Sequence, residues 1–182
     1  MDKKPSIAAM LAKFEGIKFE PKELVDNWLL LTYDLPATVE GNKARYTFTK
    51  KAPKIGAVMH TRSVYLIPWS EQAEMAAFEV TKAGIAFLWT STVTNAEKKK
   101  EVTEFYDKSI SKMLDEAENR ISRIKQHIKD KELRSANRMI RKTGEFISDA
   151  ANAALLRSSM TLMARSLELY KKLLEVNVSD ED

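Results

Sequence analysis

The residues from Asn95 to Val176 contain no proline and a single glycine, and their apolar side chains recur at alternating steps of three and four. This repeat is typical of long α-helices that pack together along one face. A step of five separates Ile128 from Leu133 and predicts a turn at the sequence KDKE, residues 129–132. The sequence therefore predicts a long α-helical hairpin over residues 95–176, whose second helix would extend for about 60 Å at about 1.5 Å per residue. The repeat consists of three apolar series: Ile110, Leu114, Ala117, Ile121, Ile124 and Ile128; then Leu133, Ala136, Ile140, Thr143, Ile147, Ala150 and Ala154; then Ala153, Leu156, Met160, Met163, Leu167, Tyr170 and Leu174.

The preceding residues, 27–94, alternate between strand and helix signals. The apolar run WLLLTY, which begins at Trp28, is followed by turn residues and predicts a buried strand that ends near Pro36. Residues 43–55 show both helical and strand spacing, and we favour the helix. The sequence AVMHTRSVYLIP then predicts two short strands that meet near Thr61.

A second helix and a last strand follow. The sequence SEQAEMAAFEVTKAG predicts a helix with Ser70 as its N-cap and Gly84 after its last turn. The residues expected on its buried side are Met75, Ala77 and Phe78. The sequence IAFLWTSTV predicts the last strand, and the aromatic side chains expected to fill the sheet core and its rim are Trp28, Trp69, Phe87 and Trp89. The order strand, helix, strand, strand, helix, strand predicts an α+β fold with a ferredoxin-like antiparallel sheet covered by two helices.

The two ends of the chain and its composition narrow the function classes. Residues 1–26 predict a short helix over residues 5–14 and an arm, and residues 177–182 predict a disordered acidic tail. The chain has no cysteine and two histidines, so disulfides, thiolate metal sites and cysteine nucleophiles are excluded. No apolar run approaches the ~20 residues that span a bilayer, and the first residues lack an apolar run of signal-peptide length. We expect a cytoplasmic protein that does not contact membranes.

Basic side chains are concentrated around the predicted turn of the hairpin. Residues 120–142 hold nine Lys or Arg against Asp130 and Glu132, although the net charge of the whole chain is only +4. Cations spaced by three or four residues form a stripe that could follow several phosphates of a nucleic acid. A solvated outer face of the helix pair is the alternative explanation. The stripe comprises Arg120, Arg123, His127, Lys131, Arg134, Arg138 and Arg141.

A second basic group lies on the first predicted helix and the strand turn. It comprises Arg45, Lys50, Lys51, Lys54 and Arg62. Such a group most often serves surface solubility, but in a nucleic-acid-binding protein it could extend the same patch.

The run from Trp28 to about Ile124 resembles the N-terminal domain of ChrB, the regulator associated with chromate resistance. The matching pieces are WLLLTYDLP, KARYTFTKKAPKIGA, SVYLIP, EQAEMAAFEVTKAG and EFYDKSISKMLDEAENRISRI. The resemblance implies a ferredoxin-like fold and a role in transcription regulation through DNA binding. The strand end TYDLP is also similar to the C-terminal domain of PaaX regulators and to the small CRISPR adaptation nuclease family.

Asp34 is the one candidate for catalysis or metal binding. In the nuclease family that the chain resembles, an aspartate at the end of the first strand is proposed to help bind a divalent cation across a dimer, and Asp34 matches that position. Such a site would use Mg²⁺ or Mn²⁺ to hold a phosphate and activate water. The alternative is that Asp34 accepts backbone hydrogen bonds in the turn before Pro36, as aspartate commonly does. We favour the turn, and we expect no resident cofactor and no enzymatic activity.

Three functional hypotheses follow. The preferred one is a regulatory, DNA-associated protein that binds DNA rather than RNA through its basic helical region and self-associates through its long helices. The second is a metal-dependent nuclease that uses Asp34. The third is a structural or adaptor protein whose heptad helices pair with other chains.

Overall fold

The computed structural model describes residues 24–81 and 86–178. A four-stranded antiparallel sheet contains β1 (Asn27–Tyr33), β2 (Val58–Thr61), β3 (Val64–Pro68) and β4 (Ala86–Thr92), in the spatial order β2-β3-β1-β4. Helix α1 (Val39–Lys51) joins β1 to β2 through the 3₁₀ turn Pro53–Ile55, and α2 (Glu71–Thr81) lies between β3 and β4. Three helices follow: α3 (Ala96–Lys129), α4 (Leu133–Leu156) and α5 (Met160–Val178). The fold is therefore α+β, with the ferredoxin-like order of elements that the sequence predicts, followed by long helices.

The sheet carries helices on both of its faces. Leu29 and Leu31 of β1 are fully buried in one core together with residues of α1 and α2. Trp28 points to the opposite face, where its ring meets Tyr106 of α3 edge to face, with the ring centroids 5.5 Å apart. Because β1 is buried on both faces, its sequence is an uninterrupted apolar run instead of an alternating one.

Helix α2 begins as predicted but buries a different side. The Oγ of Ser70 accepts a 3.1 Å hydrogen bond from the Ala73 amide, which confirms Ser70 as the N-cap. The residues buried against the sheet are Ala73, Ala77 and Val80. The prediction that Met75 and Phe78 lie inside was wrong, since both side chains are more than half exposed. Alanines let the helix approach the sheet closely, and the larger residues point outward. Gly84, predicted to follow this helix, lies outside the described residues.

The turn between α3 and α4 lies where the phase of the repeat breaks. Lys131 adopts a left-handed φ of 61°. The Glu132 amide donates to the His127 carbonyl, and the Lys131 amide donates to the Ile128 carbonyl. These two bonds form a Schellman motif, which ends a helix by satisfying its last carbonyls. The predicted turn at KDKE is confirmed.

The prediction of one continuous second helix was wrong, because a second break occurs at residues 157–159. Ser158 takes a left-handed φ of 56°, and the Ser159 amide donates to the Ala154 carbonyl, which is the same motif again. The apolar repeat continues across this break. The helical part therefore consists of three helices that pack on one another instead of a simple hairpin.

The apolar repeat of the three helices is buried within the chain itself. Ile110, Leu114 and Ile147 are fully buried, and Met163 and Leu173 of α5 close the same core. No helix in the described part of the chain is long and apolar enough to cross a membrane. The predicted helix at residues 5–14, most of the arm, and residues 179–182 of the predicted tail lie outside the described residues, while α5 continues through Val178.

Candidate nucleic-acid interface

A cleft of about 800 Å³ separates the sheet domain from the helical bundle. One wall comes from α1, the 3₁₀ turn and β2, and the other comes from α3 and α4. The two walls meet where the Gly56 carbonyl accepts a hydrogen bond from Tyr106 and where the Asn152 side chain donates to the Lys54 carbonyl. The cleft thus depends on the docking of the two parts of the fold.

Cations lie on both walls of this cleft, and two of them rest on aromatic rings. The Nζ of Lys50 lies 4.3 Å from the centroid of the Tyr46 ring, and the Cζ of Arg120 lies 4.3 Å from the centroid of the Phe146 ring. Stacking of this kind holds a cation in place. The Nε of Arg120 also donates a 2.9 Å hydrogen bond to Oε1 of Glu116. The cations that line the cleft are Lys50, Lys54, Arg120 and Lys142.

Two carboxylates, Glu145 and Asp149 of α4, oppose these cations. Burial raises the pKa of Asp149 to about 6, Lys54 opposes the shift and Glu145 adds to it. Its charge therefore changes just below neutral pH. Burial and, secondarily, Tyr33 raise the pKa of Tyr65 to about 12, so this lining hydroxyl stays protonated.

The cleft opens toward the α3–α4 turn along two rows of cations. On α3, Arg123 and His127 follow Arg120 at helical spacing and therefore lie on the same side. On α4, Arg138 and Arg134 precede Lys142 at steps of four. Within the described residues, the side chains of Arg123, Arg134, Arg138, Arg141 and Lys142 form no salt bridge with any carboxylate.

The acidic side chains of α3 explain why this side is basic. Asp115 and Glu118 face α5, where both lie within salt-bridge distance of Arg165. Lys172 also lies 3.7 Å from Glu118. Asp115 and Glu118 are thus neutralised against α5, whereas Glu116 lies on the side of the cleft, with its Oε1 2.9 Å from the Nε of Arg120. We call the cleft together with the two rows of cations the basic face.

The predicted site residues divide between this face and other places. Arg120, Arg123, Arg134 and Arg138 belong to the basic face, with Lys50 and Lys54 at its inner end. His127 is paired with Glu132 at 2.6 Å, so the turn already uses it. Lys131 is exposed in the turn, and Lys51 is exposed at the end of α1. Arg141 is exposed on α4 at helical spacing from Arg134 and Arg138, so it extends their row.

Two predicted residues have other positions or roles. Arg45 donates to the Leu35 carbonyl and to Asn42 Oδ1, so it ties α1 to the loop before it. Arg62 lies in the β2–β3 turn, at the end of the sheet where its carbonyl accepts a bond from Tyr33. The structure does not bring Arg62 together with the cleft.

Asp34 is exposed directly after β1, and the hydrogen bonds that would fix it in a turn are absent among the described residues. It precedes α1, whereas the cleft lies along the second half of that helix, from Tyr46 to Lys50, about 10–17 Å from the first residue at about 1.5 Å per residue. The described part of the chain holds no cluster of three or more His, Asp or Glu that could bind a metal ion.

The predicted site residues did not include Tyr46, Phe146, Asp149 or Lys142. Lys142 lies in the basic segment, so its charge was a usable signal. Tyr46 precedes Lys50 by one helical turn, so this spacing was a usable signal as well. Phe146 and Asp149 gain their significance only from the packing of α4 against α3 and the 3₁₀ turn, which no spacing in the sequence shows.

No protein-family model and no curated protein matches this chain. The basic face must therefore be interpreted from its own geometry.

Proposed function

We propose that this protein is a cytoplasmic, DNA-associated regulatory protein that binds the nucleic-acid backbone along the basic face. The observation that carries the proposal is the set of five cations on α3 and α4 that form no salt bridge among the described residues, continuous with a cleft that adds three more. These three are Lys50, Lys54 and Arg120. The resemblance of residues 28–124 to the N-terminal domain of ChrB supports a regulatory role.

The geometry suits a phosphate backbone better than a small ligand. From Arg120 to Lys129, α3 extends for about 14 Å, which corresponds to roughly four base steps of about 3.4 Å. Exposed arginines bind phosphate in a bidentate manner, and stacked cations approach it from the cleft. Such contacts release counterions, so the affinity must fall steeply with salt concentration. These backbone contacts alone carry no sequence information.

A charge-reversal experiment tests this proposal. The variant R134E/R138E/R141E should lose binding to duplex DNA in a gel-shift assay and show a smaller salt dependence. The matched control is K108E/K112E/K171E, which changes the net charge equally at exposed lysines away from the rows of cations. It should retain most of the affinity. Equal loss in both variants, or no loss in the first, would show that the basic face is not the binding site.

The same assay distinguishes the alternatives if it includes single-stranded DNA, RNA and Mg²⁺. Preference for RNA would overturn the choice of DNA. Degradation that needs Mg²⁺ and is lost in Asp34→Asn would support the nuclease hypothesis instead. No shift of any nucleic acid at low salt would leave the adaptor hypothesis.

A further inference from the structure

The two edges of the sheet differ in how well they are protected against pairing with another strand. Strand β2 has four residues, pairs with β3 in an irregular register after Met59, and packs the ring of His60 against Phe105 of α3. Strand β4 has seven residues and pairs with β1 in an unbroken register along its whole length. Proteins usually blunt an exposed edge with a charge, a proline or a bulge. Strand β4 contains none of these, in a chain with 31% charged residues.

Successive residues of β4 direct their backbone amides and carbonyls alternately toward β1 and away from it. One hydrogen bond shows which residues face β1. The Val93 amide donates to the Asp26 carbonyl, so Val93 and every second residue before it face β1. The residues whose amides and carbonyls point out of the sheet are therefore Ala86, Leu88, Thr90 and Thr92. No described strand lies beyond them, because β4 ends the sheet.

Large apolar side chains flank this edge on both faces of the sheet. Phe87 and Trp89 of β4 are 56% and 57% exposed, and their ring centroids lie 6.4 Å apart. On the other face, α2 packs beside β4 and exposes Met75 and Phe78. Exposed apolar groups collected around one edge mark an interaction surface.

The helices offer much less apolar surface of this kind. Their repeat is buried within the chain, and the large apolar side chains of α3, α4 and α5 that are exposed among the described residues are Leu133 and Met160, each at the first position of its helix. Self-association through the heptad positions, as the sequence suggests, would have to displace this internal packing.

We propose that two copies of this chain associate by pairing their β4 strands antiparallel about a two-fold axis at Trp89. In this register the outward-facing residues match one another, Ala86 with Thr92 and Leu88 with Thr90 of the second copy, so every outward amide and carbonyl of β4 is paired. Trp89 lies opposite Trp89 of the second copy, with their Cα atoms about 4.5 Å apart. An uncharged strand is self-complementary about such an axis, whereas a charge at position 89 would face the same charge of the second copy. The product is a continuous eight-stranded sheet.

This arrangement leaves the basic face free. The cleft includes Val58 and Met59 of β2, at the edge of the sheet opposite β4 and three strand spacings of about 4.8 Å away. The dimer would therefore present one basic face at each end.

The test uses two substitutions at one position of the full chain. Thr90→Pro removes an outward amide but no bond to β1, because the Thr90 amide points away from β1, and proline is tolerated on such an edge. Thr90→Val keeps the amide. In sedimentation equilibrium, the wild type and Thr90→Val should be dimers. The dimer dissociation constant of Thr90→Pro should be at least about 100-fold higher, because both copies carry the substitution and two hydrogen bonds are lost. A monomeric wild type, or equally tight dimers of all three proteins, would overturn the proposal.

Two further measurements keep the test decisive if Thr90→Pro does not fold. Trp89→Arg changes an exposed side chain and places like charges opposite each other, so it should also yield monomers. Residue-resolved amide exchange of the wild type should show the Leu88 and Thr90 amides protected, with protection that decreases on dilution. Protection of these amides in a monomer would mean that another part of the same chain covers the edge, and would refute pairing between copies.

Discussion

Tyr106 of α3 donates a 2.6 Å hydrogen bond from its hydroxyl to the carbonyl of Gly56, fifty residues earlier in the chain. The ring is fully buried, and burial raises the pKa of the hydroxyl well above its usual value, with Asp107 adding to the shift and Arg157 opposing it. The hydroxyl therefore stays protonated at neutral pH and remains a donor. It joins the helical bundle to the sheet domain at the base of the cleft.

Replacement of Tyr106 by Phe should lower the free energy of unfolding by about 1–3 kcal/mol, because the buried Gly56 carbonyl loses its partner. Urea denaturation measures the change. Tyr46→Phe is the control, since this tyrosine is 60% exposed and its loss should stay within about 0.5 kcal/mol. Equal effects of the two substitutions would mean that the Tyr106 bond adds nothing to the docking.

Gly56 itself should tolerate no side chain. Its φ of +76° is left-handed, and an added Cβ would lie 2.6 Å from Cδ1 of Leu156 in α4. Gly56→Ala should therefore destabilise the protein by more than about 1 kcal/mol and loosen the cleft. Gly144→Ala is the matched control, because its nearest neighbour would be at 3.6 Å and the site is inside a helix. That variant should gain about 0.5–1 kcal/mol. A loss at Gly144 as large as the loss at Gly56 would contradict this account.

At the break between α4 and α5, Arg157 forms a partly buried ion pair with Asp107 of α3. The Nε of Arg157 lies 3.0 Å from Oδ1 of Asp107, with the arginine almost fully buried and the aspartate about one-third exposed. Burial raises the pKa of Asp107, and Arg157 counteracts this shift.

Arg157→Met should cost about 1–3 kcal/mol at pH 7, less than for a fully buried pair because water still reaches Asp107. Without the arginine, the pKa of Asp107 rises further above its unfolded value, so the unprotonated form is the destabilised one. The loss should therefore shrink as the pH falls toward 4 and the carboxylate takes up a proton. Arg165→Met, which breaks an exposed pair, should cost about 1 kcal/mol or less. Denaturation of both variants at pH 7 and pH 4.5 checks these values, and a loss at Arg157 that grows at low pH would refute the account.

Local sequence patterns were sufficient to predict those features of the fold that depend on a few neighbouring residues. The apolar run of β1, the Ser70 cap and the break of phase at KDKE each leave a signal within a few residues. The second helix break left no such signal, because Ser158 occupies a left-handed position where glycine is usual and the apolar repeat continues through it. The predicted orientation of α2 was wrong for a different reason, since two alanines and a valine form the buried side and the larger Met75 and Phe78 point outward.

The candidate site was predictable only in part for the same reason. Charge and spacing identified the arginines of α3 and α4, because these properties are local. The cleft depends on the contact of Gly56 with α4, which is a property of tertiary packing. The stacking of Arg120 on Phe146 and the shifted pKa of Asp149 also follow from tertiary packing, whereas Lys50 stacks on Tyr46 one turn earlier on the same helix.

Asp149 should make binding to the basic face depend on pH. Its raised pKa of about 6 means that the folded protein binds a proton more readily than the unfolded chain. Ionised Asp149 therefore lowers stability above about pH 6, and this penalty disappears as the pH falls from 6 to 4. The same ionised group repels a phosphate that approaches Lys54, Lys50, Lys142 or Arg120.

Asp149→Asn should consequently bind DNA more tightly at pH 7, by about 1 kcal/mol or roughly fivefold at the edge of a solvated cleft. The ratio of the wild-type Kd to the variant Kd should approach one at pH 5, because the wild-type carboxyl is then neutral. His60 and His127 are present in both proteins and cancel in this ratio. Fluorescence anisotropy with a short duplex at fixed ionic strength, from pH 5 to pH 8, measures it. A ratio that does not change with pH, while R134E/R138E/R141E still abolishes binding, would place the DNA on the rows of cations and outside the cleft.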